Sequence, residues 1–316
     1  MMKITDYLKE YLFHMLEYRE ATGYAITTYR VTLLPFIDFC CSKYPDAENL
    51  TEEMLENWLA DKKYTNNTQA TFIACLRKYS QYINFLGIKA YIPDEDYSLK
   101  RIAYRPYIFT DDELKTLFNT IDGYGPSTNN AKYKPELVVS PIFRMMYCCG
   151  MRPAEPLRLR CKDVNLDSGD IYIVETKRHK DRHIIMSDDM LCLCRKYDSL
   201  AGKREWFFEY QSRPYERKWI TEQFRHCWKK SGLTAHGNPR AYDLRHAFAT
   251  RNLIRWIDEG MDINRLLPYL STYMGHSELS STFYYIHLLP ERIRNSAGIN
   301  WSQFSDIYKA GDDFED

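Results

Sequence analysis

Apolar side chains recur every three or four residues along the first 90 residues, which is the spacing of one face of an α-helix. Polar residues typical of helix starts stand at or near the beginning of each periodic stretch. The pattern predicts an all-helical N-terminal domain, residues 1–90, with four helices. The start signals are Thr5, Thr27, Thr51 and Asn66, and the apolar sets are Ile4, Tyr7, Leu8, Tyr11, Leu12, Met15 and Leu16; Tyr29, Leu33, Phe36, Ile37 and Phe39; Met54, Leu55, Trp58 and Leu59; and Phe72, Leu76, Tyr79 and Ile83.

Helical periodicity is lost between residues 88 and 108, a stretch that contains Pro93 and Pro106. Proline is disfavoured inside a helix, so we assign residues 91–108 to a linker. Thr110, followed by three acidic residues and then Leu114, is typical of a helix N-cap and its first turn. A second domain, residues 109–316, is predicted to begin there.

One part of the second domain has the signature of β-structure. Residues 171–174 and 183–186 are rich in apolar and β-branched side chains, and the polar segment 177–182 separates them. This pattern predicts a hairpin with a basic tip. Helices are predicted over 136–149, 219–230, 244–259 and 263–273, and again in a tail after Pro290. The predicted fold class is therefore mostly α with a small β-sheet, an all-helical domain followed by a mixed α+β domain.

Composition limits the class of protein. No stretch approaches the roughly 18 consecutive apolar residues of a membrane span, and the charged N-terminus lacks the pattern of a secretion signal. Nine cysteines, none of them in a CxxC pair, are typical of a reduced intracellular chain. Cys192 and Cys194 have no second pair with which to hold zinc. We therefore expect a soluble cytoplasmic protein without a metal ion.

Charge is unevenly distributed, although the chain carries no net charge. Residues 151–250 contain 20 Lys and Arg against 14 Asp and Glu, whereas residues 251–316 contain 6 against 10. A basic middle segment fits a surface that binds duplex DNA, with another role for the acidic end. An ordinary solvated surface has the same composition, so charge alone leaves both interpretations open.

Five residues with reactive or anion-binding side chains stand in the second domain. Taken singly, each has an ordinary explanation, since a lone arginine after a glycine is usually a surface charge and a lone tyrosine among 26 usually packs in a core. They gain meaning only together. The five are Arg152 in GMRPAEPLRL, Lys177 at the hairpin turn, Arg245 in YDLRHAFAT, His276 in YMGHSELS and Tyr285 in STFYYIHL.

In this order the five motifs resemble the tyrosine recombinase, or phage integrase, family. The matching elements are a Gly-hydrophobic-Arg-x-x-Glu segment, a lysine at a β-turn, a Leu-Arg-His segment, a Met-Gly-His segment and a tyrosine nine residues after that histidine. The resemblance covers about residues 108–292, and residues 3–90 match the family's core-binding (SAM-like) domain more weakly. It implies a site-specific DNA recombinase that works through a 3′-phosphotyrosyl intermediate, in integration, excision or transposition of DNA.

The resemblance implies a role for each residue. Arg152 and Arg245 hold the non-bridging oxygens of the phosphodiester with permanently charged guanidiniums. Tyr285 attacks phosphorus, and its phenol, with a reference pKa of about 10, needs those charges nearby. Lys177 protonates the departing 5′-oxygen, and His276 completes the set at the phosphate.

Position 242 departs from the family pattern. The family usually has histidine three residues before the second arginine, and this chain has Tyr242. A phenol can donate a hydrogen bond to phosphate, but it cannot act as a base near neutral pH. His246 and His236 could compensate, although packing or surface positions also explain them. The reaction as a whole is still expected.

Further positions follow from the same resemblance. Glu155 stands three residues after Arg152 and is therefore expected on the same side of a helix. It resembles the family's acidic residue, which would orient an arginine or histidine through a charge-assisted hydrogen bond. Tyr284 lies about 100° around a helix from Tyr285, so the two cannot face one phosphate. Basic residues that we expect either at the DNA backbone or on an ordinary solvated surface are Lys62, Lys63, Arg77, Lys78, Lys180, Lys229 and Lys230, of which Lys180 is also the competitor of Lys177.

The resemblance also implies partners. The substrate is double-stranded DNA with an inverted-repeat site, enclosed from opposite sides by the two domains and recombined by a homotetramer, so the protein is expected at the nucleoid. No cofactor is needed, because the phosphotyrosyl bond conserves the energy of the broken phosphodiester. The tail docks on a neighbouring protomer or on its own domain. Since the chain begins with the core-binding helices, a separate arm-binding domain is expected to be absent.

Two other functions remain open. A type IB topoisomerase-like enzyme has the same catalytic set, acts as a monomer and relaxes DNA without recombinant products. A catalytically silent DNA-binding regulator is the non-enzymatic alternative, which the nearly complete residue set disfavours.

Overall fold

The computed structural model describes residues 3–102, 104–124, 135–174 and 181–287. Lys177, Lys180 and the predicted tail helix after Pro290 lie outside the described residues. The chain divides into two compact units between Tyr104 and Arg105.

The first unit consists of four helices around an apolar core. They are α1 (Ile4–Ala21), α2 (Thr27–Lys43), α3 (Glu52–Asp61) and α4 (Asn66–Phe85), followed by a short 3-10 turn at Glu95–Tyr97. The ring of Phe36 meets Trp58 and Phe72 edge-on at 5.7 and 5.3 Å between centroids. The hydroxyl of buried Tyr79 donates a hydrogen bond to the carbonyl of Leu8, which ties α4 to α1. These helices carry the apolar sets that the periodicity predicted.

Three helix starts differ from the sequence prediction by one or two residues. The N-cap of α2 is Ile26, one residue before the predicted Thr27, and its side chain makes no capping hydrogen bond. Helix α1 begins at Ile4 with Lys3 as its N-cap, two residues before the predicted cap Thr5, because Ile4 is itself fully buried in the core. Helix α4 is capped by Thr65, whose hydroxyl accepts a hydrogen bond from the backbone N–H of Thr68 at 3.3 Å. Side-chain caps compete with core packing, and packing decides where α1 starts.

The second unit is also mostly helical. Its elements in chain order are α5 (Asp111–Asp122), α6 (Pro135–Cys148), α7 (Ala154–Leu157), β1 (Asp170–Ile173), β2 (Arg182–Ile185), α8 (Asp188–Ala201), β3 (Glu209–Tyr210), β4 (Arg213–Pro214), α9 (Arg217–Lys230), α10 (Asp243–Asp258), α11 (Ile263–Met274) and α12 (Ser280–His287), with 3-10 turns at Cys161–Asp163 and Leu233–His236. Thr110 and Glu113 form the predicted capping box of α5. None of the helices in the described ranges is long and apolar enough to cross a membrane.

The hairpin of β1 and β2 is antiparallel, with Asp170 opposite Ile185 and Ile173 opposite Arg182. Its inner face contains Ile171, Ile173, Arg182 and Ile184, all buried. The sequence assignment of Arg182 to the polar turn was therefore wrong. The two-residue alternation that places Ile184 inside also places Arg182 inside, so the signal was present in the strand pattern.

A second hairpin, formed by β3 and β4, was not predicted. Its turn residues Gln211 and Ser212 have φ angles of 50° and 62°. Two-residue hairpins often need positive φ at both central positions, which Asn-Gly or Asp-Gly usually provide. Glutamine and serine are not residues that usually indicate positive φ, so the sequence pattern did not predict this turn.

Helix α10 separates two apolar clusters of the second unit. Leu244 and Ala247 belong to the cluster that includes α5, α6 and α9, and Ala249 and Leu253 belong to the cluster with α11 and α12. Arg245 lies on the same helix and is fully buried, and it donates to the carbonyls of Gly150, beside the first cluster, and of Met274, in the second. The helix thus carries a permanent charge into the boundary between two cores.

Candidate active site

Arg245 is held by the backbone at the ends of two helices. Its guanidinium is 0% exposed, with Nη1 donating to the carbonyl of Gly150 and Nη2 to the carbonyl of Met274, each at 2.7 Å. Nη2 also lies 3.0 Å from Nε2 of His276. Burying a charged guanidinium is costly without such partners. These contacts hold the Arg245 side chain in one rotamer.

The loop that carries Arg152 depends on Gly150. This glycine has φ of 61°, and a Cβ at this position would lie 2.5 Å from Cδ1 of Phe248. Only glycine fits both the left-handed backbone and the contact with α10. Arg152 follows with its side chain 18% exposed, Nη1 3.0 Å from Oε1 of Glu155 and Nη2 2.8 Å from the carbonyl of Gly275.

Glu155 binds two arginines rather than one. Arg182 donates from Nη1 and Nη2 to the two carboxylate oxygens at 2.8 and 2.7 Å, and Arg152 donates to Oε1. Burial raises the pKa of Glu155, but the hydrogen bonds and charges of Arg182, Arg245 and Arg152 outweigh it and hold the pKa below its usual range. The carboxylate is therefore charged near neutral pH.

The position of Glu155 differs in detail from the expectation. Arg152 precedes helix α7, whose N-cap is Pro153, so Arg152 and Glu155 do not share a helical face. The backbone N–H of Arg152 instead donates to Oε2 of Glu155 at 2.8 Å. A local turn brings the two side chains together, and the three-residue spacing suits it as well as a helix would.

His276 stands between Arg245 and α12. Its Nδ1 is 2.7 Å from Oγ1 of the buried Thr282, and its Nε2 is 3.0 Å from Nη2 of Arg245. A guanidinium only donates, so Nε2 must accept, and the ring proton is assigned to Nδ1, which donates to Thr282. Burial and the charges of Arg245, Arg152 and Arg182 lower the pKa of His276 to about 2. The imidazole is neutral, and its tautomer is set by its neighbours.

The neutrality of His276 predicts how stability depends on pH. Below pH of about 6.5 the unfolded chain takes up a proton on this histidine, whereas the folded protein does not until the pH approaches 2. The lowered pKa therefore contributes stability above that reference value, and the contribution is lost as the pH falls. The His276→Asn variant lacks this titrating group. Its free energy of unfolding is therefore expected to fall by about 2 kcal/mol less than that of wild type between pH 7.5 and pH 5.

Urea unfolding at several pH values measures this difference. The matched control is His183→Asn, because His183 is a histidine of the same unit whose side chain is 63% exposed. Equal losses of stability in wild type and His276→Asn would contradict a neutral buried His276.

Tyr285 lies on α12 against His276. It is 2% exposed, and the two rings are stacked with centroids 5.9 Å apart and planes 18° from parallel. Burial raises the pKa of the Tyr285 phenol, and the nearby charge of Arg245 lowers it only in part. In this structure Tyr285 is thus a neutral phenol beside one of the two guanidiniums assigned to the phosphate.

The environment of Tyr242 contains one of the two histidines considered as substitutes. Tyr242 is the N-cap of α10, and its ring centroid lies 4.9 Å from that of His246. His246 lies 5.4 Å from the ring of Tyr285 and 6.4 Å from that of Tyr284. His236 instead pairs with Glu113 at 2.9 Å. Only His246 therefore joins the group around Tyr285.

The basic residues expected at the DNA backbone have different surroundings. Arg77 donates from Nε to the carbonyl of Pro93 and from Nη2 to that of Asp94, both at 2.9 Å, so it braces the segment after α4. Lys62 pairs with Asp61 at 2.9 Å and lies over the ring of Trp58. The exposed ones among those described are Lys63, Lys78, Lys229 and Lys230.

Chemically, the described cluster carries an excess of positive charge with a phenol beside it. Three guanidiniums, those of Arg152, Arg182 and Arg245, accompany one carboxylate, that of Glu155. Arg182 and Thr282 were missed by the sequence reasoning. Within the described ranges no group of three His, Cys, Asp or Glu side chains is placed to hold a metal ion.

Comparisons with known proteins match both the sequence and the fold. A model of the phage integrase family matches residues 108–292. Tyrosine recombinase XerC of Lactobacillus delbrueckii subsp. bulgaricus is 25% identical over 257 residues, which cover 78% of this chain and 81% of XerC. Residues 108–292 include the whole cluster described above.

Two solved structures have a similar fold. XerH site-specific recombinase bound to palindromic difH substrate matches with a TM-score of 0.61 and 23% identity, over 88% of this chain and 80% of the other. The Tn1549 transposon integrase in complex with transposon right end DNA matches with a TM-score of 0.65 and 12% identity, over 98% and 99%. The predicted fold class, mostly α with a small sheet and a catalytic domain of this type, is confirmed.

Proposed function

This chain belongs to the phage integrase family, and we propose that it recombines DNA through covalent attack by Tyr285. As a tyrosine recombinase it is an enzyme that cleaves and rejoins DNA in site-specific recombination. The observation that supports Tyr285 as the nucleophile is its place in the structure, because it stacks on His276 and lies beside the buried Arg245.

In the proposed reaction, Arg152 and Arg245 hold the non-bridging oxygens of the scissile phosphate. Negative charge builds on these oxygens in the transition state, where preorganised guanidiniums are most effective. The Tyr285 oxygen forms a bond to phosphorus, the bond from phosphorus to the 5′-oxygen breaks, and a 3′-phosphotyrosyl link remains. We assign Lys177 as the acid that protonates the 5′-oxygen. Rejoining is the reverse, with a 5′-hydroxyl as the attacking group.

In this proposal, phosphate binding allows His276 to accept a proton from Tyr285. A phosphate oxygen is a stronger acceptor for Arg245 than a neutral imidazole is, because the hydrogen bond joins two charged groups. Once Arg245 donates to the phosphate, Nε2 of His276 loses its donor and can accept the proton of the adjacent Tyr285. Thr282 keeps the ring proton on Nδ1 and so keeps that lone pair available.

Tyr242 contributes a hydrogen bond in this proposal and no proton transfer. Tyr242→Phe is expected to slow cleavage about 10-fold, the effect of one hydrogen bond to a charged group. Tyr242→His restores the residue that is usual in the family and is expected to cleave at least as fast as wild type. Single-turnover cleavage of a nicked duplex measures both. Wild-type rates for Tyr242→Phe would remove Tyr242 from the reaction.

We further propose a duplex with inverted repeats as the substrate and a homotetramer as the active assembly. Strand exchange between two duplexes needs four cleavages, and the XerH structure contains a palindromic substrate. The domains proposed are a core-binding domain, residues 1–90, a linker, 91–108, and a catalytic domain, 109–316.

Recombination of a plasmid with two candidate sites tests the function. Sites are taken from inverted repeats in the DNA that flanks the gene, and excised circles are scored by junction amplification. Recombinant circles support the proposal. Relaxation of supercoiled plasmid without a site and without recombinants would favour the topoisomerase-like alternative, and binding without cleavage would favour the regulator.

A further inference from the structure

Arg182 has no part in the mechanism above, although it lies in the same cluster. Its side chain is 6% exposed, and its three nitrogens all donate to protein groups: Nε to the carbonyl of Tyr273 at 2.9 Å, and Nη1 and Nη2 to Glu155 at 2.8 and 2.7 Å. Three of the five N–H groups of this guanidinium are thus committed to protein acceptors, two of them to Glu155, and we assign it no contact with the phosphate. Its role must pass through the groups that it touches.

The group of greatest consequence is the carboxylate of Glu155. Its side chain is 10% exposed, so water screens its charge poorly. Arg182 binds it with two hydrogen bonds, whereas the Arg152 guanidinium contributes one, at 3.0 Å. Without Arg182, the charge of Glu155 would be balanced by Arg152, which is hydrogen-bonded to it, and by the nearby charge of Arg245. The guanidinium of Arg152, which is assigned to the phosphate, would then be neutralised by Glu155.

We propose that Arg182 is a positioning residue that balances the charge of Glu155, so that Arg152 keeps its positive charge for the scissile phosphate. The inference rests on the proposed function, since it takes Arg152 as a ligand of that phosphate. In this proposal Glu155 forms two ion pairs, one with Arg152 and one with Arg182, and the two pairs have different roles. Glu155 orients Arg152, and Arg182 prevents that orientation from cancelling the charge.

The backbone around Arg182 supports the same role. A Cβ on Gly275, which has φ of 69°, would lie 2.9 Å from Nη1 of Arg182. The guanidinium therefore packs directly against the turn between α11 and His276, whose Gly275 carbonyl accepts a hydrogen bond from Arg152. Arg182 thus fixes both acceptors of Arg152, the carboxylate and the carbonyl.

A second-site rescue separates charge balance from structural support. We compare Arg182→Gln with the double variant Glu155→Gln, Arg182→Gln, and measure the rate of covalent adduct formation on a nicked suicide duplex with protein in excess. Arg182→Gln leaves Glu155 to neutralise Arg152, and we expect a rate about 100-fold below wild type. The double variant removes the uncompensated carboxylate, and we expect it to recover at least about 10-fold of that loss.

Arg204→Gln is the matched control. Arg204 is another arginine of the second unit with little exposure, 4% of its side chain, and it pairs with Asp198 at 2.9 Å and donates to backbone carbonyls. It has no contact with Glu155, so we expect a rate within about 3-fold of wild type. This variant measures what the loss of any buried arginine pair does to the rate.

The outcomes are distinct. A double variant as slow as Arg182→Gln, or slower, would overturn the proposal, because lost structural support cannot be recovered by a second loss. If Arg182→Gln does not fold, Arg182→Lys takes its place. Lysine keeps the charge without the bidentate geometry, and we expect a rate within about 10-fold of wild type. A loss as large as about 100-fold would refute charge balance. Failure of the function itself appears differently, as absence of adduct in wild type and Arg204→Gln.

Discussion

Tyr285→Phe is expected to form no covalent protein–DNA adduct while keeping the fold. The variant lacks the oxygen that bonds to phosphorus in the proposed reaction. Its ring can keep the stack on His276, so the loss of stability should be limited to about 1 kcal/mol for one hydroxyl. A nicked duplex that loses its short 5′ fragment on cleavage traps the adduct, which is scored on a denaturing gel.

Tyr284→Phe is the control for this experiment. Tyr284 is adjacent in sequence, and its ring lies 6.2 Å from that of Tyr285. We expect this variant to form adduct at a rate close to wild type. An adduct in Tyr285→Phe, or its loss in Tyr284→Phe alone, would assign the nucleophile to Tyr284.

Arg245→Met is expected to lose both cleavage and stability. Loss of a donor to the phosphate should slow cleavage by about 100- to 1000-fold. The same change leaves the carbonyls of Gly150 and Met274 buried without their donor, at about 1 to 3 kcal/mol for each. Denaturant unfolding should show a destabilisation of about 3 kcal/mol or more.

Arg152→Met separates the two effects. Arg152 is assigned to the same phosphate but is 18% exposed and donates to one backbone carbonyl, that of Gly275. We expect a similar loss of cleavage with a clearly smaller loss of stability. If both variants were equally destabilised, the contacts of Arg245 with two helix ends would contribute no more to stability than the contacts of Arg152.

The sequence predicted those parts of the fold that depend on local patterns. Ten helices in the described part of the chain have ten or more residues, and helical periodicity located nine of them, with α8 the exception; strand alternation located the hairpin of β1 and β2. The hairpin of β3 and β4 was missed, because Gln211 and Ser212 adopt positive φ without the residues that usually indicate it.

For the site, motif order identified which residues to consider but not how they are arranged. Arg245 and Gly150 are 95 residues apart, and Arg182 and Glu155 are 27 apart, so their contacts arise only when the helices pack. The burial of Tyr285 and the tautomer of His276 have the same origin. Arg182 could have been found, since it occupies an inward position in a strand, where a charged residue needs a buried partner.

The two arginines assigned to phosphate also act as C-caps. Met274 ends α11 and Gly275 follows it directly in the left-handed conformation, while Gly150, which also has a positive φ, stands two residues after α6 ends at Cys148. Carbonyls at these termini carry the negative end of the helix macrodipole and lack partners within the helix. Arg245 caps both helices, and Arg152 caps α11 through the carbonyl of Gly275.

This dual use constrains how the enzyme can lose its activity during evolution. A lineage that discards Tyr285 keeps its helix ends capped and can persist as a folded DNA-binding protein. A lineage that discards Arg245 uncaps two helices at once and loses the scaffold along with the chemistry. Inactive descendants of such a chain should therefore keep the arginine and vary the tyrosine.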